Sequence, residues 1–388
     1  MKKQLTLLAT VTLAATCAQA QNASSSVTFY GALDAGVLST STTGGASYLP
    51  TTTDSGSSTQ FKDGGIGGSN IGVKGARDIG QGRKAFFQLQ GNVKLNDGST
   101  GGPNTAAGTS NLNQMAFIGV SGAAGELKLG RQVAPMYYAF ASTDVRQGRY
   151  FGSALTALVG MNSASKVFAG NNSGAAFGTV YNDNSMTYTT PEFSNTTVSI
   201  QHAFGNTSGD NAAGTQDSVT AQYNNKTGLK LSAVYYNGKG NNKAAIANSA
   251  VDFSTSTNRL TQLGALYAWD KFSVSASMFK ATNPSGITAA GGSTDLSMNS
   301  LGFGYKIAPD LSLTSGYYAI KDNTNAGNTA KQLAVGLDYA LYQDTLVYLQ
   351  TANTTNNGAN MNLSPVYATT VAANKSNTAW MMGLRYTF

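Results

Sequence analysis

The sequence predicts an all-β fold, a 16-stranded antiparallel transmembrane β-barrel, on three observations. Many segments alternate apolar and polar side chains with period two over about 9–11 residues, as membrane-crossing strands do. Tight turns and long polar connections alternate between these segments, as they do at the two rims of such a barrel. No run of about 18 apolar residues follows residue 20, which excludes helical membrane spans from the rest of the chain.

The chain begins with a pattern typical of a secretory signal peptide. A start with two lysines precedes a mostly apolar stretch, residues 5–17, and Ala18-Gln19-Ala20 has the small residues of a cleavage site. We therefore expect residues 1–20 to be removed and residues 21–388 to form a single barrel domain. Cleavage would also remove Cys17, the one cysteine, which leaves no disulfide, thiol nucleophile or thiolate metal site.

Composition fits strands that face lipid on one side and water on the other. The sequence has 45 glycines against 7 prolines, 10% aromatic residues and only 11% charged residues. The formal net charge is +7, but the lysines and arginines form no cluster, so nothing resembles a nucleic-acid footprint. A secreted array of β-sandwiches has a similar composition, so this observation alone leaves that fold open.

Period-two alternation defines sixteen candidate strands. In the first, Val27, Phe29 and Leu33 fall on one face, while Thr28 and Tyr30 fall on the other. Tyrosine and tryptophan end many of the apolar faces, as the aromatic girdles at membrane interfaces require. The strands begin near residues 27, 69, 83, 113, 125, 184, 196, 217, 228, 259, 271, 296, 310, 331, 344 and 378.

The connections are of two kinds, tight turns and long polar connections, and we assign each kind to one rim of the barrel. An even number of strands brings both termini to the rim with the tight turns, and barrel closure leaves no unpaired strand edge in lipid. The tight turns are residues 79–82, 122–125, 191–195, 269–271, 308–310 and 342–344. The long polar connections are residues 39–68, 96–112, 206–216, 239–257, 282–295, 322–330 and 354–377.

Residues 132–182 depart from this layout because they contain no convincing strand. Structureless loops beyond roughly 12–15 residues are usually functional or disordered. This stretch has an apolar patch at residues 154–159 and several aromatic residues, a surface that favours burial. We expect it to fold into the barrel lumen as a constriction loop that narrows a water-filled channel. An external lid or a partner-binding loop is the alternative.

Five stretches of sequence occur in the order found in a known family. Residues 26–34 match its opening strand, residues 69–89 its first periplasmic hairpin, residues 116–132 and 185–193 the flanks of its third loop, and residues 383–388 its closing strand. The chain thus resembles the trimeric Gram-negative porins of β-proteobacteria and their neisserial relatives, over nearly its whole mature length.

The resemblance implies a homotrimer in the Gram-negative outer membrane, surrounded by lipid and lipopolysaccharide. It implies passive diffusion of ions and small hydrophilic solutes, without a cofactor. It also implies that the barrel-assembly machinery reads Phe388, and that trimer contacts use apolar outer faces near Phe29, Leu33 and Trp380. A substrate-selective channel, for example for a sugar or an organic acid, is the alternative, and a barrel that serves in adhesion is a further one.

Six charged residues are candidates for setting ion selectivity, because charges on a narrow pore bias which ions enter. Their bases outnumber their one acid, which predicts a weak anion preference; the alternative is that the arginines form functionally silent ion pairs. The candidates are Arg131 at the root of the predicted loop, Arg146, Arg149 and Asp144 within it, and Lys74 and Lys84 on the wall. For Tyr137, Tyr138, Tyr150 and Phe151 we favour a role in fixing the loop to the wall over sugar stacking.

The chain departs from the anion-selecting members of that family at three positions and in one turn. They often carry arginine where this chain has Asn70 and Gln114, and a basic residue where Thr187 stands. The turn before strand fifteen, usually basic in those relatives, is Tyr342-Gln343-Asp344 here. The constriction is therefore expected to be less positive than theirs.

No catalytic or metal site is expected. His202 is the only histidine, and its parity places it with Val198 and Ile200 on the outer face. A Ser-His-acid site needs its histidine near a nucleophile in the lumen or a loop, and no G-x-S-x-G motif occurs. One histidine without cysteine is a poor metal site. An outer-membrane hydrolase is the remote alternative.

Overall fold

In the computed structural model of the protein, the described residues are 25–44, 50, 52–101, 111–166, 177–178, 180–206, 208–240, 256–286 and 291–388. The predicted signal peptide, residues 1–20, lies outside them. The described residues form seventeen strands and two helices. Among them, no helix is long and apolar enough to cross a membrane.

The predicted strand starts lie within three residues of the observed ones. The strands are β1 (Ser25–Thr40), β2 (Ser58–Asp63), β3 (Asn70–Gly80), β4 (Arg83–Asn92), β5 (Met115–Gly122), β6 (Gly125–Val133), β7 (Tyr181–Thr189), β8 (Thr196–Ala203), β9 (Gln216–Asn224), β10 (Leu229–Lys239), β11 (Thr257–Trp269), β12 (Phe272–Thr282), β13 (Asp295–Ala308), β14 (Leu311–Asp322), β15 (Thr329–Tyr342), β16 (Thr345–Asn357) and β17 (Asn377–Thr387). The helices are α1 (Pro135–Ser142) and α2 (Ala154–Ala164).

The sheet closes on itself, because the first strand pairs with the last. Every sequential pair from β3 to β17 is antiparallel, and β1 pairs with β17 from Ala32↔Thr387 to Thr40↔Ala379. On its other side, β1 pairs with β3 through its first half and with β2 through its second half. β2 and β3 are therefore two pieces of one barrel strand, and the predicted 16-stranded antiparallel barrel is confirmed.

A buried carboxylate holds the break between β2 and β3. Asp34 of β1 is fully buried, and its carboxylate accepts hydrogen bonds from the backbone N–H groups of Gly65, Ile66 and Gly67 at 2.9–3.1 Å. The hydroxyl of Tyr348 donates to the same carboxylate at 2.7 Å. The sequence analysis assigned residues 39–68 to one long connection, because the polar sequence of β2 lacks an apolar face.

The two faces of the sheet differ in chemistry. On the outer face, the register partners Leu263 and Met278 are 58% and 61% exposed, whereas the neighbouring Gln262 is buried on the inner face. Apolar side chains so exposed along the whole wall indicate contact with lipid. Near the tight turns, Tyr267, Trp269, Phe272 and Tyr305 stack in sequence on this face, with ring centroids 5.0–5.8 Å apart.

Both helices belong to residues 134–166, here called the helical segment. α1 has Pro135 at its first position, and α2 is capped by Ser153, whose side chain accepts from the N–H of Leu155 at 3.1 Å. The apolar faces of the helices pack into one core with inner-face side chains of the wall. Its fully buried members include Met136, Phe140, Leu158 and Met161 of the segment and Leu260, Phe279, Met298, Tyr318 and Ile320 of the wall.

The connection between β16 and β17, residues 358–376, also differs from expectation. The sequence analysis assigned it to the long polar connections, yet Met361, Leu363 and Val366 are almost fully buried. It joins the helical segment through backbone hydrogen bonds, from the N–H of Gly152 to the carbonyl of Pro365 and from the N–H of Tyr367 to the carbonyl of Tyr150, both 2.7 Å. Polar and small residues, several of them asparagines, separate its apolar residues, so the sequence shows no continuous apolar face.

Candidate channel constriction

Asp144 lies between the two helices and organises the turn that joins them. It is only 5% exposed, and its Oδ1 accepts from the backbone N–H of Arg146 at 3.1 Å and from the hydroxyl of Tyr318 at 2.8 Å. Its Oδ2 accepts from the backbone N–H groups of Gly148 and Ala154 at 3.2 and 3.0 Å. Ala154 is the first residue of α2, so the negative charge also faces the positive end of the helix dipole. Four donors offset the cost of burying the carboxylate.

Arg146 is fully buried, and neutral acceptors satisfy its guanidinium. It donates to the carbonyls of Gly152 and Phe151 at 2.5 and 2.8 Å, within the helical segment. It also donates to the side chains of Thr314 and Gln350 on the wall, at 3.0 and 2.7 Å. Burial lowers the pKa of Arg146 to about 10, so the group remains charged at neutral pH. These contacts tie the segment to β14 and β16.

Gly152 fits where another residue does not. Its φ is +56°, and a Cβ built on it would lie 2.3 Å from the Cβ of Ala334 on β15. The backbone at Gly152 therefore approaches the wall more closely than any side chain permits. This approach places the Gly152 carbonyl next to Arg146.

Arg149 forms a bidentate ion pair with Asp338 of β15, at 3.1 and 2.8 Å. The two side chains are 7% and 12% exposed. The carbonyl of Arg149 also accepts from the hydroxyl of Ser153 at 2.6 Å, which links the ion pair to the α2 cap. The charges of Arg149 and Asp338 thus compensate each other at the wall.

Arg131, Lys74 and Lys84 lie on other strands, β6, β3 and β4. Arg131 forms an ion pair with Asp183 and donates to the carbonyl of Asn113 at 2.7 Å, and its guanidinium lies 5.5 Å from the ring of Tyr181. Lys74 and Lys84 are exposed on the inner face.

Tyr30 links Lys74 to a polar network on the same part of the wall. The Lys74 ammonium lies 5.1 Å from the centroid of the Tyr30 ring. The Tyr30 hydroxyl donates to Gln90 at 2.8 Å and accepts from Gln88 at 2.5 Å. Tyr138 of α1 is 51% exposed.

The six candidates therefore fall into two groups. Asp144, Arg146 and Arg149 are buried together between the helical segment and strands β14–β16, whereas Arg131, Lys74 and Lys84 lie on β3, β4 and β6. The sequence analysis did not name the inner-face residues Tyr30, Gln88, Gln90 and Lys128 as site candidates, although their alternation along the strands could have identified them. It also missed the partners Tyr318, Asp338 and Gln350, which no local signal marks.

A cavity of about 650 Å³ adjoins this site at the end of the barrel with the tight turns. Its five basic lining residues outnumber its acidic ones, which are Asp270, Asp310 and Asp338. The basic residues are Arg149, Lys230, Lys271, Lys306 and Arg385.

His202 lies on the outer face, as its parity predicts. Its Nδ1 is 2.7 Å from a carboxylate oxygen of Asp217, and its ring packs edge-on against Phe204 at 4.5 Å. The part of the chain that the structure describes contains no group of three or more histidine, cysteine, aspartate or glutamate residues that could hold a metal ion.

A closed barrel with an apolar outer face and a polar, charge-lined interior defines a channel protein of the outer membrane. The profile of the Gram-negative porin family matches residues 9–359, and the chain belongs to this family. The protein is thus a porin of the Gram-negative outer membrane, which confirms the resemblance, the class of function and the location inferred from the sequence.

Individual relatives agree with this assignment. The chain is 28% identical to outer membrane porin protein 32 of Delftia acidovorans over 401 residues, which cover all of both chains. It is 30% identical to major outer membrane protein P.IB of Neisseria gonorrhoeae over 212 residues, 54% of this chain and 51% of that protein. The solved structure of an anion-selective porin from Comamonas acidovorans shares the fold, with a TM-score of 0.73, 22% identity, and coverage of 94% of this chain and 100% of that one.

Proposed function

We propose that the stretch 132–182 is the constriction of this porin and that ions and small hydrophilic solutes diffuse past it with a weak anion preference. The supporting observation is the asymmetric burial of charge. Asp144, Arg146 and Arg149 are enclosed and compensated on one side of the barrel, whereas Lys74 is exposed to the interior on the other. The solute path then runs between the helical segment and strands β3–β6, past Lys74 and Lys84. Cations on that wall attract anions.

In this proposal the buried candidates act on the position of the loop, and Lys74 and Lys84 act on the solute. Arg131, whose side chain is 10% exposed and paired with Asp183, offsets that carboxylate on the same wall. The test is the reversal potential of the purified protein in a planar bilayer under a salt gradient. We expect an anion-leaning potential that moves towards zero in Lys74→Gln and in Arg131→Gln. Lys331→Gln, an exposed change on the outer face of β15, should leave it unchanged. A cation-favouring potential in the wild-type protein would contradict the proposal.

A substrate-selective channel is the second candidate, favoured by the half-exposed ring of Tyr138 on α1. Aromatic rings facing a channel can stack on sugars. Liposome swelling with sugars of graded size separates the two. A smooth decline of rate with size supports general diffusion, whereas one sugar admitted out of order, and lost in Tyr138→Ala, supports selectivity.

We further propose that the protein functions as a homotrimer, without a cofactor and without enzymatic activity, and contacts lipopolysaccharide. A nearly apolar groove of about 470 Å³ on the outer face of β1 and β3–β6 supports the assembly. Phe388, which the barrel-assembly machinery would read, packs on Phe29 at 5.6 Å and on Tyr386 at 5.9 Å. Cross-linking of the unheated protein tests the trimer, and deletion of Phe388 tests the assembly signal, with loss of outer-membrane insertion as the expected result.

A further inference from the structure

Residues 64–68, here called the inward loop, connect β2 to β3 on the inner side of the barrel wall. Asp34, which binds their backbone N–H groups, shares the parity of the buried Leu38 on β1 and not that of the exposed Phe29. The loop consists of four glycines around Ile66. The barrel strand thus leaves the wall, enters the lumen and returns, although crossing the membrane requires only a continuous strand.

Contacts with three strands fix the inward loop. Besides the three backbone N–H groups and the hydroxyl of Tyr348, Arg385 of β17 donates to the carboxylate of Asp34, at 3.3 Å. Gln350 of β16 donates to the carbonyl of Gly65 at 3.2 Å. A Cβ built on Gly65 would lie 2.3 Å from the hydroxyl oxygen of Tyr348, so a side chain there would displace the tyrosine from Asp34. Hydrogen bonds to a buried, charged acceptor are strong, so Asp34 determines where the loop lies.

The inward loop also reaches the channel. The carbonyl of Ile66 accepts from the N–H of Tyr150 at 3.0 Å, which joins the loop to the helical segment. The side chain of Ile66 packs against a buried cluster that includes Phe151 of the same segment. Ile66 also lines the cavity of about 650 Å³ at the end with the tight turns, together with Val145 and Arg149. An apolar residue of the wall therefore faces the open space beside the helical segment.

We propose that the inward loop is a second constriction element, that Asp34 positions it, and that Ile66 limits the size of solutes that enter from the end with the tight turns. Pore width and apolar constrictions both decide which solutes pass a channel. Ile66 is suited to this role because both its N–H and its carbonyl are held by hydrogen bonds, which fix its position. The inference rests on the proposed constriction by residues 132–182 and adds to it a boundary that comes from the wall.

The test is exclusion of polyethylene glycols of graded size from single channels of the intact protein in a planar bilayer. A polymer added to one side enters only as far as the narrowest point, so the size limit is measured separately for each side. We expect Ile66→Ala to raise the limit on the side of the tight turns and to change it less on the other side. Ile66→Leu, which keeps the number of carbons, should preserve the wild-type limit. Leu333→Ala, which shortens a lipid-facing side chain that is 51% exposed, is the matched control.

Asp34→Asn tests the positioning role. The amide keeps the shape of the side chain but presents an N–H group to the donors of the loop, so the loop should shift and the size limit should rise as it does in Ile66→Ala. If Asp34 acts through Ile66, the double variant Asp34→Asn/Ile66→Ala has the limit of the more open single variant, whereas independent effects would add. Asp34→Asn also leaves Arg385 uncompensated beside the cavity, so the reversal potential should move towards anions. Ile66→Ala changes no charge and should leave that potential unchanged.

The outcomes separate this inference from the proposed function. If Ile66→Ala leaves the size limit unchanged on both sides, or raises it equally on both, the inward loop is not a constriction element at that end and the porin function stands. Additive effects in the double variant would contradict the positioning role of Asp34. A wild-type protein that does not conduct would contradict the proposed function itself. If Asp34→Asn does not insert, the two Ile66 variants still decide whether the loop limits solute size.

Discussion

At the residue scale, the carboxylate of Asp144 explains how a charged turn is held inside the barrel. Its partners are three backbone N–H groups and one tyrosine hydroxyl, so it links both helices to the wall at once. An asparagine side chain has the same shape, but its amide nitrogen would replace one of the two accepting oxygens and would face hydrogen-bond donors. The carboxylate therefore has a structural role that follows from its acceptor capacity as well as from its charge.

We predict that Asp144→Asn loosens the helical segment while the barrel still inserts. Leaving buried donors without an acceptor costs about 1–3 kcal/mol for each group. The expected result is increased current noise in single channels and a lower unfolding temperature. Asp54→Asn, at an exposed position outside the strands, is the control. Noise equal to that of the wild type would show that the carboxylate does not hold the segment.

A second prediction concerns the ion pair between Arg149 and Asp338. Arg149→Gln leaves Asp338 uncompensated beside the basic cavity, so the reversal potential should shift towards cations. If the uncompensated charge of Asp338 changes the free energy of a passing ion by about 1 kcal/mol, the ratio of anion to cation permeability changes roughly fivefold. The double variant Arg149→Gln/Asp338→Asn should recover most of the shift. If it does not, Arg149 acts on ions directly and not through its partner.

The six candidates show how far sequence reasoning reaches at this scale. Alternation along β3 and β4 was sufficient to place Lys74 and Lys84 on the inner face. It could not distinguish Arg146, which is enclosed by carbonyls, from an arginine that lines a channel, because those acceptors come from a turn and from β14 and β16. The partner of a charged loop residue depends on tertiary packing, which the local sequence pattern does not reveal.

At the element scale, the strands were predictable because each crosses lipid and so repeats one simple pattern. The exception is β2, whose polar residues continue a barrel strand after the break held by Asp34. The helices were not predicted, although the apolar patch at residues 154–159 marks where α2 begins. The β16–β17 connection was misassigned because its buried residues follow no helix or strand period.

The β16–β17 connection supplies a third prediction, since it clamps the helical segment from above. Replacing residues 360–373 with a short glycine-serine linker removes the hydrogen bonds to Tyr150 and Gly152. Each of the two hydrogen bonds stabilises the closed state by about 1 kcal/mol, so the equilibrium constant for local opening should increase roughly 30-fold. Hydrogen exchange at residues 150–152 measures this opening, and single-channel conductance should increase as well. Shortening the exposed turn at residues 323–327 is the control, and unchanged exchange would exclude a clamping role.

At the scale of the whole molecule, closure between β1 and β17 explains why the chain has an outer face at all. With β1 paired to β17 and each strand from β3 to β17 paired with its neighbours, the membrane-crossing wall has no open edge towards lipid, and only the outward side chains distinguish one part of the wall from another. Those side chains are not uniform. The groove across β1 and β3–β6 is concave and apolar, whereas single large residues such as Leu301 project from β13.

This difference leads to the last prediction, which separates contact with lipid from contact with another subunit. Ile118 in the groove and Leu301 on β13 are both 64% exposed, so Ile118→Ser and Leu301→Ser remove similar apolar surface. If subunits meet at the groove, Ile118→Ser should weaken the trimer and convert conductance in three equal steps into single steps. Leu301→Ser should leave the three steps intact. The opposite result would place the interface near β13, and single steps in the wild-type protein would mean that each barrel conducts alone.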